Sequence, residues 1–128
     1  MSVKYTSNKS EVLAAVKAAK ARALEICGGT AERYAKENLT RNRSVITDNL
    51  RGSIAHAQID ENTEQVGTNV YYAPYVELGH NQQPGRYVPA IGKRLVASHV
   101  AAKPYLRPAV EDHRDEYERI IKGELESV

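Results

Sequence analysis

The residues in this chain that could carry ligand or covalent chemistry are four histidines, one cysteine, a glycine pair and scattered serines and carboxylates. His56, His80, His99 and His113 stand far apart, and no two share metal-ligand spacing on one predicted element. His113 falls on an apolar helical stripe, which reads as a core or interface histidine. His80 follows Gly79 and lies near Glu77, but one imidazole and one carboxylate fall short of a zinc ligand set. Cys27 sits on the apolar face of a helical pattern, where a thiol packs as a small hydrophobe. Gly28-Gly29 lacks the Lys-Ser/Thr of a phosphate loop and follows a helix rather than a strand. No serine lies in a nucleophile-elbow pattern. The residues therefore predict no catalytic, cofactor or metal site, and point away from an enzyme.

Binding chemistry is better represented. Lys17, Lys20, Arg41, Arg43 and Arg51 could meet phosphates while Tyr71, Tyr72 and Tyr75 stack on bases, the pattern of a small nucleic-acid-binding module. Such platforms interleave cations with aromatics, however, and residues 65–85 contain no Lys or Arg. A core or subunit-interface role suits these tyrosines better. Charge is also unevenly placed: residues 1–51 carry a net +5 and residues 107–128 a net −3, within a total of +2. Two solvated helical faces would explain this. So would complementary contacts between neighbouring subunits, with Lys17, Lys20 and Arg22 of one copy facing Glu111, Asp115 and Glu118 of the next.

Composition limits what can hold such groups. The 128 residues suit a single domain, 1–128, and contain no Phe, no Trp and one Met. Val, Leu and Ile number 27, about a fifth of the chain, so Ala and Tyr must supply much of the packing. Low net charge argues against wholesale disorder. A core this thin favours burial against copies or partners. No run approaches the ~18 apolar residues of a membrane span, the start lacks a signal-peptide h-region, and one cysteine permits no internal disulfide.

The elements follow from periodicity. Residues 2–6 could form an edge strand. Residues 8–39 read as helical, through Val12, Leu13, Ala15, Val16, Ala19, Ala23, Leu24 and Cys27 and then Ala31, Tyr34, Ala35 and Leu39, as one long kinked helix or two stacked ones divided at Gly28-Gly29. Residues 40–49 are polar turn formers, and this loop, like 80–86, is expected to order mainly on assembly. Residues 52–70 alternate as a β-hairpin with one apolar face, Ala55, Ala57 and Ile59 lying together on its first strand with His56 and Gln58 opposite, and Val66, Thr68 and Val70 together on its second. A short helix at 72–79 opens near Pro74 and closes at Gly79. A second hairpin is expected within 86–98. Pro104 and Pro108 lead into a terminal helix at 107–125, with Asp115–Arg119 and Glu118–Lys122 at pairing distance in sequence. The fold class is α+β: a long N-terminal helical segment and a C-terminal helix packed on a small antiparallel sheet of hairpins.

Three segments, taken in order, carry a family likeness. Val70-Tyr71-Tyr72-Ala73-Pro74-Tyr75-Val76-Glu77-Leu78-Gly79 resembles the Tyr-Ala-x-Tyr-Val-Glu-Phe-Gly motif of the tail-completion, or head–tail joining (neck), proteins of long-tailed bacteriophages and prophages. Lys103-Pro104-Tyr105-Leu106-Arg107-Pro108-Ala109 resembles that family's Pro-Phe-Leu-Arg-Pro-Ala segment, and Thr47 to Ile54 resembles its Thr-Gly-x-Leu-Arg-x-Ser-Ile. Tyr105 and Leu78 stand where Phe is common, Asp48 replaces a Gly, and His80 replaces a Thr. The resemblance implies a non-enzymatic virion protein without cofactor, made in the host cytoplasm and assembled as a homo-oligomeric ring at the neck. Its partners would be connector, stopper, tail-terminator or tail-tube proteins, not a membrane, with DNA met only as it passes through the lumen. Tyr72, Ala73, Tyr75, Val76, Glu77, Gly79, Pro104, Tyr105, Leu106, Arg107, Pro108 and Ala109 would form the assembly motif. Within it Arg107 is either an ion-pair partner of Glu77 or a solvated arginine.

Overall fold

A computed structural model describes residues 2–42, 45–81, 85–89, 92–94 and 99–128. Its elements run α1 (Lys9–Asn42), α2 (Val45–Ser53), β1 (Ala55–Asp60), β2 (Thr63–Gly67), α3 (Ala73–Leu78), β3 (His80–Asn81), β4 (Tyr87–Val88), β5 (Lys93–Arg94), β6 (His99–Val100), α4 (Leu106–Glu111) and α5 (Arg114–Glu126). The class is α+β, with long N-terminal and C-terminal helices. Among the described residues the strands form three antiparallel pairs, β1–β2, β3–β6 and β4–β5.

Helix α1 is the spine, 34 residues and so about 50 Å long. Ala19, Ala23, Ala31, Ala35 and Leu39 are buried along it, with half-buried Cys27 completing the series. Each step of four residues overshoots a 3.6-residue turn by about 40°. The buried line therefore winds round the helix and presents successive faces to different partners. Near its middle α1 meets α5, where Arg22 pairs with Glu124 at 3.2 Å and Cys27 Sγ lies 3.9 Å from the Tyr117 carbonyl oxygen. Toward its end it packs on α2 and α4, in a cluster of Ala35, Leu39, Leu50, Ile54, Ala73, Tyr105 and Ala109. Small side chains bring these backbones close, and Tyr105 is the largest wholly buried residue.

Several sequence expectations are corrected. Residues 2–6 form no strand and are exposed. Gly28-Gly29 neither ends nor divides α1. Gly28 is instead where the β1–β2 hairpin seats: a Cβ there would lie 2.6 Å from both Glu64 Oε1 and His56 Nδ1. Residues 40–42 and 45–49, expected as loop, are helical; Leu50 and Ile54, one turn apart and buried, draw the turn-forming residues before them into a helix. Asp48 lies in its first turn.

On β1 the faces are the reverse of those expected, while on β2 Val66 lies on the covered side as expected. His56 pairs across the strands with Val66 and Gln58 with Glu64, and His56, Glu64 and Val66 are half-buried on the side toward α1. Ala55, Ala57 and Ile59 face outward. Two alanines offer little apolar area, whereas the cavity over Gly28 admits the His56–Glu64 pair. The turn is an Asx turn, Asn62 N–H to Asp60 Oδ1 at 2.8 Å. Lys17 and Lys20 hold its tip to α1 through Glu61 and Asn62.

In the second expected hairpin, Tyr87 pairs with Arg94 and Val88 with Lys93; residues 95–98 lie outside the described ones. The terminal helix is broken rather than continuous over 107–125. His113 leaves the helical region (φ −123°, ψ 24°) and its ring stacks on Tyr34, 3.5 Å between centroids and 3° from parallel. The Tyr117 hydroxyl then donates to the Ala109 carbonyl, which the His113 N–H would satisfy in an unbroken helix. Tyr34 also donates to the Glu116 carboxylate.

The glycines test the seating of the hairpin. Gly28→Ala should destabilise the protein by about 1–3 kcal/mol through overpacking against His56 and Glu64. Gly123→Ala, in α5 with nothing within 4 Å of the added methyl, should stabilise by about 0.5–1 kcal/mol. Urea unfolding of the two variants checks the contrast; equal effects would remove the seating argument.

Candidate assembly interface

The motif residues converge at one place, the junction of α3 with the segment leading into α4. Pro74 occupies the first turn of α3, where its missing N–H costs nothing, and Gly79 closes it with φ 75°. Gly79 is also a close approach: a Cβ there would lie 2.7 Å from the Val100 carbonyl oxygen and 2.8 Å from the Ala102 nitrogen. The chain returns at this point, with β3 paired to β6 and the Lys103 N–H donating to the Val76 carbonyl at 2.9 Å.

Glu77 joins the two motifs. Its Oε2 accepts the backbone N–H groups of Tyr105 at 2.7 Å and Leu106 at 3.1 Å, and its Oε1 accepts that of Arg107 at 2.9 Å. These are donors that the first turn of α4 cannot satisfy internally, and no local side chain caps them. Arg107 is thus held by its backbone, not as an ion pair with Glu77. Its exposed guanidinium reaches Glu111 instead, Nε to Oε2 at 3.1 Å.

Tyr105 is fixed at every polar group. Its N–H goes to Glu77, its carbonyl accepts from Asn38 Nδ2 at 3.1 Å, and its hydroxyl donates to the Ala73 carbonyl at 3.3 Å. A Phe could fill the same space but would leave the Ala73 oxygen without that donor. Ala73 and Ala109 are buried, Val76, Leu106 and Pro108 half-buried, and Pro104 exposed. Tyr72 is half-buried, its hydroxyl accepting from Asn49 Nδ2 at 3.1 Å.

The outer side of this junction is apolar. Tyr71, Tyr75 and Leu78 are 78%, 52% and 76% exposed. A shallow groove of about 440 Å³ runs beside them, lined by Val70, Tyr71, Pro74, Leu78 and Leu106. At the far end of the molecule Val12, Leu13, Leu125 and Val128 are exposed as well.

The expected charge contacts find partners within the chain. Lys17 reaches Glu61, Lys20 reaches Asn62, Arg22 reaches Glu124 and Glu111 reaches Arg107, all in exposed settings where such pairs contribute little. Asp115 and Glu118 stay exposed. Of the basic set, Arg51 bonds Thr40 and pairs with Asp48, Arg41 is exposed, and Arg43 lies outside the described residues.

Sequence reasoning missed one cluster. Among the described residues, Glu25, His56 and Glu64 could together hold a metal ion. The hydrogen bond from His56 to Glu64 raises the imidazole pKa, with Glu25 and Glu32 adding to it. The His56–Glu64 alternation was visible in the sequence, but only the hairpin register across Gly28 brings Glu25 to it. Cys27, whose pKa burial pushes up with help from Glu64 and Glu116, is not poised as a thiolate. The side chain of His80 is not among those described.

Comparisons with protein-family models, with curated proteins and with solved structures find no match to this chain.

Two outcomes follow from this geometry. Glu77→Ala should cost about 2–4 kcal/mol, because three N–H groups lose a charged acceptor at once. Amide exchange at residues 105–107 should accelerate with it, and unchanged exchange would contradict the capping role. Burial pushes the phenols of Tyr105 and Tyr117 up to about 12. Their folded pKa values exceed the unfolded ~10, so their contribution is complete below pH 10 and disappears as pH climbs toward 12. Tyr105→Phe should flatten that alkaline fall in a pH series of unfolding midpoints.

Proposed function

We propose that this chain is a non-enzymatic structural subunit that joins or completes the head–tail interface of a tailed-phage virion, acting within a homo-oligomeric ring. The observation that carries the reading is the division of α3. Ala73, Val76 and Glu77 turn into the fold, while Tyr75, Leu78 and the preceding Tyr71 turn out. A helix clamped through Glu77 to α4 makes a stiff ledge, and a stiff ledge presents apolar side chains at low entropic cost on binding. The same segments are those that resemble the neck-protein motifs. Connector, stopper, tail-terminator or tail-tube proteins are the partner class that this resemblance implies.

The nucleic-acid alternative is less supported, since residues 65–85, which carry Tyr71, Tyr72 and Tyr75, contain no Lys or Arg to interleave with them. Among the described residues no helix is long and apolar enough to cross a membrane.

Light scattering on the purified chain, alone and with its neck components, tests the proposal. The wild type should form a closed oligomer or join one. Tyr75→Ser with Leu78→Ser should weaken assembly at least about tenfold, since burying even one such side chain is worth roughly 1.5–3 kcal/mol. A monomer that binds no neck component, or assembly indifferent to the double substitution, would overturn it.

A further inference from the structure

Where the β1–β2 hairpin crosses α1, three side chains from three elements meet. Glu25 of α1, His56 of β1 and Glu64 of β2 each offer one donor atom, all within 4.8 Å of one another. His56 Nδ1 lies 2.9 Å from Glu64 Oε1, and its Nε2 lies 3.8 Å from Glu25 Oε1. Gly28 makes the room, since any Cβ there would strike both His56 and Glu64. The Glu64 side chain is only 6% exposed, and its second oxygen, Oε2, is buried without a hydrogen-bond partner among the described residues.

That oxygen is what the protein alone does not account for. A protonated His56 satisfies Oε1 and faces Glu25, yet leaves Oε2 orphaned, and buried carboxylate oxygens are ordinarily paired. Two carboxylates around one imidazole, with Glu32 also acting on it, concentrate negative charge at this spot. A dication answers both demands.

We propose that Glu25, His56 and Glu64 form a binding site for a divalent transition-metal ion of the Zn²⁺ type. The imidazole selects against Mg²⁺ and Ca²⁺, which prefer all-oxygen shells. Ligand distances of about 2.0–2.2 Å put neighbouring donors roughly 3.4 Å apart, and the three donor atoms here lie within 4.8 Å of one another, so the ion draws them together. The ion replaces the proton shared by His56 and Glu64, and chelation by both Glu64 oxygens gives the orphaned Oε2 a partner. Glu25, which is exposed, closes the set from α1 and leaves a further position to water. Ligands drawn from both the helix and the hairpin make the ion a clamp that fixes the hairpin on the spine.

The test uses the full chain, stripped with EDTA and dialysed, then titrated with ZnCl₂ by calorimetry and with CoCl₂ by visible absorption. One equivalent should bind, raise the unfolding midpoint and give Co²⁺ a ligand-field band of low coordination number, while MgCl₂ does neither. Glu25→Gln, at an exposed position that should leave the fold intact, and Glu64→Gln should each weaken Zn²⁺ binding by about 10–100-fold. His56→Gln, checked for folding by circular dichroism, should abolish it. A variant lacking His80, His99 and His113 should bind like the wild type. No one-equivalent binding would overturn the proposal, as would Glu25→Gln binding as tightly as the wild type or loss of binding in the triple-histidine variant.

Discussion

The capping of α4 by Glu77 is the contact on which the second half of the chain depends. Three backbone N–H groups at the start of a six-residue helix, two of them half-buried, would otherwise have no partner within that helix. One carboxylate takes all three. To do so it must come from α3, so α3 and α4 have a fixed separation and angle. Gly79 then becomes obligatory, because residues 100–102 pass where a Cβ would stand. Tyr105 becomes obligatory in turn, because it fills the space beneath and ties the junction to α1 through Asn38. Two sequence motifs separated by about 25 residues are thus the two halves of one joint.

Helix α1 supplies the surface against which that joint closes. Its alanine-rich buried line gives close backbone approach but little apolar area per residue, so shape matters more here than hydrophobic bulk. The same economy appears at Gly28, where the absence of a side chain admits a charged pair from the hairpin. A helix with large residues on this line would hold each neighbour farther away. Neither the Tyr105 packing nor the His56–Glu64 seating would then survive.

What the sequence made legible follows from this construction. The long helix, the short helix at Pro74–Gly79, the first hairpin and the α+β class all have periodic or punctuation signals that tertiary packing does not oppose. The hairpin's orientation was illegible because alternation identifies two faces without saying which is covered, and the deciding residue, Gly28, lies in another element. The helix at Val45–Ser53 was hidden because its polar residues signal a turn, while the burial of Leu50 and Ile54 outweighs that signal. The break at His113 has no local breaker; it rests on Tyr34 stacking and on the Tyr117 hydroxyl, both distant in sequence or one turn away. In the motif, the sequence leaves Arg107 either paired with Glu77 or solvated, and the backbone contact of Glu77 does not show in it. Side-chain charge suggested the Arg107 guanidinium, whereas the geometry uses the backbone that every residue carries.

The apolar side chains left outside follow from the same economy. A core built largely from alanine leaves many of the larger aliphatics and tyrosines outside, among them Tyr71, Tyr75 and Leu78 by the joint and Val12, Leu13, Leu125 and Val128 toward the other end of α1. Patches at opposite ends cannot cover one another within a single chain. They can do so between chains, by a heterologous contact in which one end meets the other end of a neighbour, and such contacts close into rings when the rotation between neighbours permits. Of the charge asymmetry, one pair joins the basic and acidic segments inside the chain, Arg22 with Glu124. If subunits assemble end to end, burial of apolar surface rather than long-range attraction must hold them, and assembly should then be only weakly sensitive to salt.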